Sequence, residues 1–306
     1  MKIKVLLRNF RRRYREPTIR LLIKLFARLP FSAAFKIGGL FGWVLWVYNG
    51  EMRKVSEVNV AKCFPEKSDE ERRALVRQSL IETGKNITEI ARLWFTSESD
   101  FLALLADVKG EKHITNAIES GRGVMLIAPH LGAWEYVGLY LSVKYSITSM
   151  YRPPEMSGLA DIIQQGRTRF GATLVPTDIV GVRELLSALK RSELVGMLPD
   201  QDPGLNGGEF SPLFNVSANT MTLTSKLAQK TNADVIACFA RRKKSGVGYE
   251  LIFEPANKRI NDKDMVVSLG ALNEEVEKLI LKCPEQYQWS YKRFKTRPQD
   301  EASFYN

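Results

Sequence analysis

A chain of 306 residues, 44% hydrophobic and 26% charged, can bury a substantial core and is neither a disordered segment nor a polytopic membrane protein. Its three cysteines (Cys63, Cys238 and Cys283) are odd in number, far apart and without Cys-x-x-Cys spacing. That argues against a disulfide framework or a zinc site, and for reduced thiols in a body that faces the cytoplasm. The net charge of +11 is concentrated at one end: residues 1–28 hold ten Lys or Arg against the single acid Glu16, so nine of the eleven net charges lie there. Such a segment suits an anionic membrane surface, a nucleic acid or an acidic protein.

The first predicted element carries that charge onward. In "TIRLLIKLFARLP" (18–30), Arg20, Lys24 and Arg28 recur every four residues on one helical face, with Leu22, Ile23, Phe26 and Leu29 largely opposite. "FSAAFKIGGLFGWVLWVY" (31–48) follows, with Lys36 its only charge. It falls just short of the roughly 20 residues that cross a bilayer core, and Trp43, Trp46 and Tyr48 suit a headgroup boundary. The basic stretch is too long for a signal peptide, and no small-residue cleavage site follows. Residues 1–50 therefore read as a membrane-anchoring segment. An in-plane or re-entrant anchor is preferred, because a single span with the basic end inside would export the body.

Residues 51–306 read as one α/β domain with a helical lead-in over 51–105. Ser68 is a helix N-cap followed by Asp69, Glu70 and Glu71 in the first turn, and Leu75, Leu80, Ile87, Ile90 and Leu93 supply an apolar stripe. From about residue 108 short apolar runs ("GVMLIAP", "SITSMYR", "GATLVPT", "LVGMLPD", "DVIACFAR", "YELIFEP") alternate with helical patterns ("DIIQQGRTRF", "VRELLSALKR", "NTMTLTSKLAQKTN"). That alternation predicts a mixed, mostly parallel central sheet flanked by helices, with the functional site at the C-terminal ends of its strands.

One stretch sits in that position. "LIAPHLGAWEYVG" (126–138) places His130 at the tip of a predicted strand and Glu135 in the first turns of the helix that follows. A strand-tip histidine facing a cleft can act as general base, and a carboxylate reaching back to it can fix the tautomer and stabilise the imidazolium. Gly132 and Ala133 would let substrate approach the backbone, and the helix N-terminus offers amides to a developing negative charge. The second histidine, His113, reads as a surface residue near a helix start. The chain contains no GxSxG elbow, Walker A loop, strand-linked GxGxxG or HExxH, so no metal is expected and no nucleophile motif competes.

With "PHLGAWEYVG", the sequence resembles the late (lauroyl and myristoyl) acyltransferases of lipid A biosynthesis, within the wider glycerolipid and lysophospholipid acyltransferase superfamily. The likeness runs over nearly the whole chain, through "RKVSEVNVAKCFPEKSDEERRALVRQSL", the His-x4-Glu block, "LPDQDPG" with "SPLFNVSANT", and "CPEQYQWSYKRFKTRP". One departure is Asn215, where the family pattern has a glycine after paired aromatics; this puts the local loop shape in question.

The resemblance implies transfer of an acyl chain from acyl carrier protein to a hydroxyl of a 3-hydroxyacyl chain on a lipid A precursor. His130 would be the base, Glu135 would hold it, and no acyl-enzyme or further cofactor is needed. It assigns Arg167, with Arg169 as its neighbour, to the oxyanion or a phosphate, and Asp200 and Gln201 to the site floor. Asp202 reads equally well as a turn residue bonded to its own backbone. Arg241, Arg242, Lys243 and Lys244 are a candidate docking patch for the acidic carrier protein or for phosphates, or a solvated hairpin turn. "YKRFKTRP" (291–298) mixes basic and aromatic residues, but the anchor and the strand-tip histidine argue against nucleic acid. The expected location is the bacterial inner membrane with the catalytic domain facing the cytoplasm. An acyl-CoA-dependent glycolipid or phospholipid acyltransferase, and a non-catalytic lipid-binding membrane protein, are the rival readings.

Overall fold

The computed structural model describes residues 17–154, 157–231, 233–243, 247–299 and 301–305. A helix covers 17–28 (α1). The helical lead-in continues as α2 (Phe31–Tyr48), α3 (Glu51–Cys63), α4 (Asp69–Phe95) and α5 (Glu98–Leu102). The αβ region follows in the order β1 (Leu105–Lys109), α6 (Lys112–Glu119), β2 (Val124–Ile127), α7 (Trp134–Lys144), β3 (Ile147–Met150), α8 (Ser157–Thr168), β4 (Thr173–Val175), α9 (Ile179–Lys190) and β5 (Leu194–Met197). The chain then runs through β6 (Gly208–Leu213), β7 (Val216–Met221), α10 (Thr222–Lys230), β8 (Asp234–Arg242), β9 (Tyr249–Pro255) and α11 (Met265–Lys282), with 3-10 turns at Lys258–Asn261 and Pro284–Gln286.

The Ser68 cap forms as a full capping box: the Glu71 amide donates to Ser68 Oγ, and the Ser68 amide donates to the Glu71 carboxylate. It starts a 27-residue helix along which α2 packs. The two helices approach closely at glycines. A Cβ on Gly42 would lie 2.2 Å from the Leu80 carbonyl oxygen, and one on Gly84 2.1 Å from that of Gly38. Thr88 Oγ1 donates to the Ala34 carbonyl, and Arg92 to that of Ala27. One stripe of α2 (Ala34, Phe35, Gly38, Gly42) is therefore buried and the rest faces outward.

The sheet has the order β1-β9-β8-β2-β5-β3-β4. From β8 to β4 all neighbours are parallel; β9 pairs antiparallel with β8, and β1 parallel with β9. The expected mixed, mostly parallel sheet is thus present. Along β2, Met125 and Ile127 enter one core, with Leu185 of α9, Leu227 of α10 and Leu272 of α11. Val124 and Leu126 enter the other, with Ile114 of α6 and Leu139 of α7. Burial on both faces is why these strands read as continuous apolar runs. From β2 the chain leaves by α7 on one face; from the adjacent β5 it returns through α10 on the other. Between those strand ends the connections diverge, which opens a crevice at the C-terminal edge.

Several elements escape the sequence pattern, the long helix α11 among them. β1 ("LADVK") is a half-exposed edge strand. The β6–β7 hairpin turns through Phe214 and Asn215, both left-handed (φ 50° and 59°). Asparagine is among the few non-glycine residues that adopt this conformation readily, so Asn215 preserves the tight turn that its difference from the family pattern put in question. Glu277 accepts the Phe214 amide at 2.6 Å and closes it. The basic-aromatic stretch near the end also turns inward. Arg293 is 3% exposed and donates to the Asn219 carbonyl and Thr220 Oγ1.

Candidate active site

Pairing of β2 with β5 runs one residue past the strand, with the Ala128 amide donating to Met197. Pro129 and His130 follow at the crevice, opposite Asp200 and Gln201, which leave the end of β5. One Asp200 carboxylate grips both parts of the histidine. Its Oδ2 accepts the His130 backbone N–H at 2.9 Å, and its Oδ1 lies 3.0 Å from the ring Nδ1. Because the carboxylate can only accept when ionised, Nδ1 carries the proton, and in the neutral ring Nε2 is left with its lone pair. Gln201 Nε2 stands 3.2 Å from that Nε2, donating into it. The edge of Trp134 packs on the imidazole in a T-shape, with centroids 5.1 Å apart.

Burial pushes the Asp200 carboxyl up. The facing imidazole and the His130 backbone amide outweigh burial and hold it below the usual carboxylate range. Tyr287, buried beside it, is pushed well above the usual phenol range by burial and by the Asp200 charge. The ring of His130 thus stands between an ionised, fully enclosed carboxylate at Nδ1 and a neutral amide at Nε2, an arrangement open to a general base.

The expectation that Glu135 holds His130 is corrected. Trp134 takes the position facing the imidazole. Glu135, one residue on and about 100° further round the helix, points toward α4 and α8. Its carboxylate accepts Arg167 Nε at 3.0 and 3.1 Å, a further close bond from Arg167 Nη2, and Trp94 Nε1 at 3.3 Å. The Arg167 guanidinium also stacks over the Tyr151 ring at 5.4 Å. Burial alone would lower its pKa, but the Glu135 charge and hydrogen bonds raise it overall. Glu135 is therefore the holder of Arg167, and Asp200 is the holder of His130.

Gly132 is corrected as well. Its φ is 62°, and a Cβ there would lie 2.0 Å from the Ala240 carbonyl oxygen. The glycine admits the β8 backbone, leaving no opening for substrate at that point. Its amide donates to Gln286, and the Ala133 amide to Ala240. The amides left to meet a negative charge are those of Trp134 and Glu135, the first two residues of α7.

Residues 12–296 match the family described as bacterial lipid A biosynthesis acyltransferase. The chain is 31% identical to a lipid A biosynthesis lauroyltransferase of Escherichia coli (strain K12), over 92% of this chain and 91% of that protein. It is 28% identical to a palmitoleoyltransferase of lipid A biosynthesis from the same organism (92% and 91%), and 23% identical to a myristoyltransferase (83% and 78%). The chain belongs to the bacterial lipid A biosynthesis acyltransferases. It is an acyl-transferring enzyme, and the rival reading as a non-catalytic lipid-binding protein is set aside.

Within this acyltransferase two more predicted positions change meaning. Arg169 donates to the Leu93 carbonyl at 2.7 Å and closely to that of Thr96, so it caps the C-terminal end of α4. Arg242 lies inside the fold, 3% exposed, and is no part of a docking patch. It forks onto Glu89 and also donates to Asn86 Oδ1 and, at 2.9 Å, to the Gly132 carbonyl. Of the remaining patch, Lys243 is exposed, Arg241 is partly covered and faces Glu250 at 3.4 Å, and Lys244 falls outside the described residues. Asp202 Oδ1 accepts the Gly204 amide and Oδ2 that of Thr296, the turn role allowed for it.

The cysteines are free and buried, and burial pushes the Cys238 and Cys283 thiols up to about 12 and Cys63 higher still. Sequence reasoning missed the buried Glu89–Arg242 pair. Its signal was present: Glu82, Asn86 and Glu89 recur at helical spacing in line with Leu93, so polar groups occupy a stripe that continues as core.

Proposed function

We propose that this enzyme transfers a fatty acyl chain from acyl carrier protein to a hydroxyl of a 3-hydroxyacyl chain on a lipid A precursor, the secondary acylation step of lipopolysaccharide assembly. The observation that carries the reading is the His130 ring, its Nδ1–H held by buried Asp200 and its Nε2 met by the neutral Gln201 amide. The acceptor hydroxyl takes the place of the Gln201 amide at Nε2 and gives up its proton there. The alkoxide attacks the thioester carbonyl. The tetrahedral oxyanion, met by the amides of Trp134 and Glu135, collapses and expels the carrier's thiolate, which takes the proton back from His130.

Direct transfer fits the surroundings. The ring partners of His130 are Asp200 and Gln201; among the described residues no serine, threonine or cysteine hydroxyl or thiol is bonded to it, and the thiols are buried. Arg167, fixed by Glu135, offers its positive charge to a phosphate or the oxyanion from the neighbouring helix. Among the described residues of the patch, Arg241 and Lys243, at the same edge of the sheet, are the cations available to an acidic carrier protein. The anionic cytoplasmic face of the inner membrane is where such an acceptor would be reached.

The test is transfer by purified enzyme of labelled acyl chains to a tetra-acylated lipid A precursor, with carrier-protein and CoA thioesters compared. His130→Ala should lower kcat by about 10²–10⁴-fold with unchanged circular dichroism. Full activity in that variant sinks the mechanism; transfer from CoA alone replaces the donor.

A further inference from the structure

The apolar helix α2 is long enough to look like a membrane span: 18 residues make about 27 Å at 1.5 Å per residue. Its packing argues otherwise. α4 runs beside it along its length, from Arg92 over the Phe31 ring, through Thr88 on Ala34 and the Gly38–Gly84 crossing, to Arg73 over the Trp46 ring. Arg53 stacks on the same Trp46 ring at 3.8 Å and donates to its carbonyl, closing that end. α4 is in turn bolted to the body by the buried Glu89–Arg242 pair. Were α2 to cross a bilayer with these contacts intact, Arg73, Lys85, Arg92 and the edge of the α/β body would be drawn into hydrocarbon, where charges are excluded.

The outer side of α2 carries Leu40, Phe41, Trp43, Val44, Val47 and Tyr48, each between 43% and 80% exposed. Exposed Leu21 and Leu25 of α1 extend the apolar surface, and exposed Lys24, Arg28 and Lys36 border it. We infer that α1 and α2 lie flat on a bilayer carrying anionic headgroups, as an in-plane platform with α2 parallel to the surface. Apolar side chains enter the acyl boundary, Trp43 and Tyr48 sit at headgroup level, and the bordering cations meet lipid phosphates. The platform also adjoins the site: Arg92 holds Ala27 at the α1–α2 junction, and two residues on Trp94 donates to Glu135. A lipid acceptor in that bilayer would enter beside Glu135 and Arg167. This inference deepens the membrane docking proposed above and rests on it.

The three native thiols are buried, so a nitroxide attaches selectively to an introduced cysteine. Full-length protein carrying Ile37→Cys, Val44→Cys or Tyr48→Cys is labelled and bound to phosphatidylethanolamine vesicles with and without phosphatidylglycerol. Label depth is read from oxygen against nickel-chelate accessibility. An in-plane platform gives three insertion depths within a few Å of one another, and binding that falls several-fold without phosphatidylglycerol. A span gives a ladder, with about 16 Å between the labels at 37 and 48 by helical rise, and overturns the inference. Labels that stay water-exposed on bound protein overturn it too, by placing the contact elsewhere. Acyl transfer to detergent-dispersed acceptor is measured on the same proteins. An active enzyme with a ladder refutes the platform alone; equal depths in an inactive one refute the acyl-transfer reading alone.

Discussion

Two charged pairs flank the 130–133 loop, and they are built for opposite purposes. On one side His130 meets Asp200; on the other Arg242 meets Glu89. Both carboxylates are enclosed. The difference lies in the base. The imidazole turns its second nitrogen to the neutral Gln201 amide, whereas the guanidinium is charged throughout: its Nε and Nη2 are held by Glu89, Asn86 and Gly132, and its Nη1 lies 3.5 Å from Glu82. Tyr249 adds its hydroxyl to Glu89 at 2.9 Å, so that carboxylate too is saturated inside the fold. A buried pair saturated by charged and fixed partners holds structure, and one whose second nitrogen meets only a neutral side-chain amide can move a proton once a hydroxyl replaces that amide.

That contrast is sharpest in Asp200→Asn. The amide keeps the shape but cannot hold the imidazolium or fix Nδ1–H, so kcat should fall by about 10²-fold or more, with the folded state retained by circular dichroism. The same variant reports on acid stability. The Asp200 carboxyl is held below its ordinary value in the folded enzyme, so its contribution is complete above an unfolded pKa of about 3.9 and is lost as pH falls through the lower folded value. Wild type and Asp200→Asn should therefore converge in stability below about pH 4. Activity retained within a few-fold would mean that His130 is not oriented by this contact.

Arg242→Met inverts the pattern. Glu89 would be left buried and unpaired, at a cost of about 3–5 kcal/mol, visible as a lower midpoint in urea, while activity per folded molecule falls far less than in Asp200→Asn. Adding Glu89→Leu should recover part of that stability, since replacing both charges removes the uncompensated one. If instead Arg242→Met loses activity at full stability, the guanidinium has a part in the chemistry.

How much of this was legible in the sequence depended on what kind of contact fixed each part. The Ser68 cap and the doubly buried strands are local signals, and they formed where the sequence placed them. β1 and the β6–β7 hairpin were not legible, because an edge strand with two charges has no apolar run and a Phe-Asn turn lacks the usual glycine. His130 was legible through its position at a strand tip. Its partner was not, since Asp200 is 70 residues away and arrives only because β5 pairs beside β2. Arg242 looked like part of a basic surface run; that its side chain points inward follows from alternation along β8 and from acids on α4 that no local pattern connects to it.

Glu135, which the His-x4-Glu pattern set beside His130, gives the finest test together with the arginine it holds. Glu135 bonds Arg167 and Trp94, so Glu135→Gln and Arg167→Met should act as one unit: each alone should lower kcat/KM by about tenfold, and the double variant by little more than the worse single, a coupling of about 0.5–3 kcal/mol. Multiplicative losses would mean that the two residues act separately. The pH profile then decides what the unit does. Because the ring of His130 keeps Asp200 and Gln201 in either single variant, the acidic limb of kcat/KM should stay where it is in wild type, whereas Asp200→Asn should move it. A shift of that limb in Glu135→Gln would bring the carboxylate back onto the imidazole in the working enzyme, through a rearrangement of α7 that frees it from Arg167.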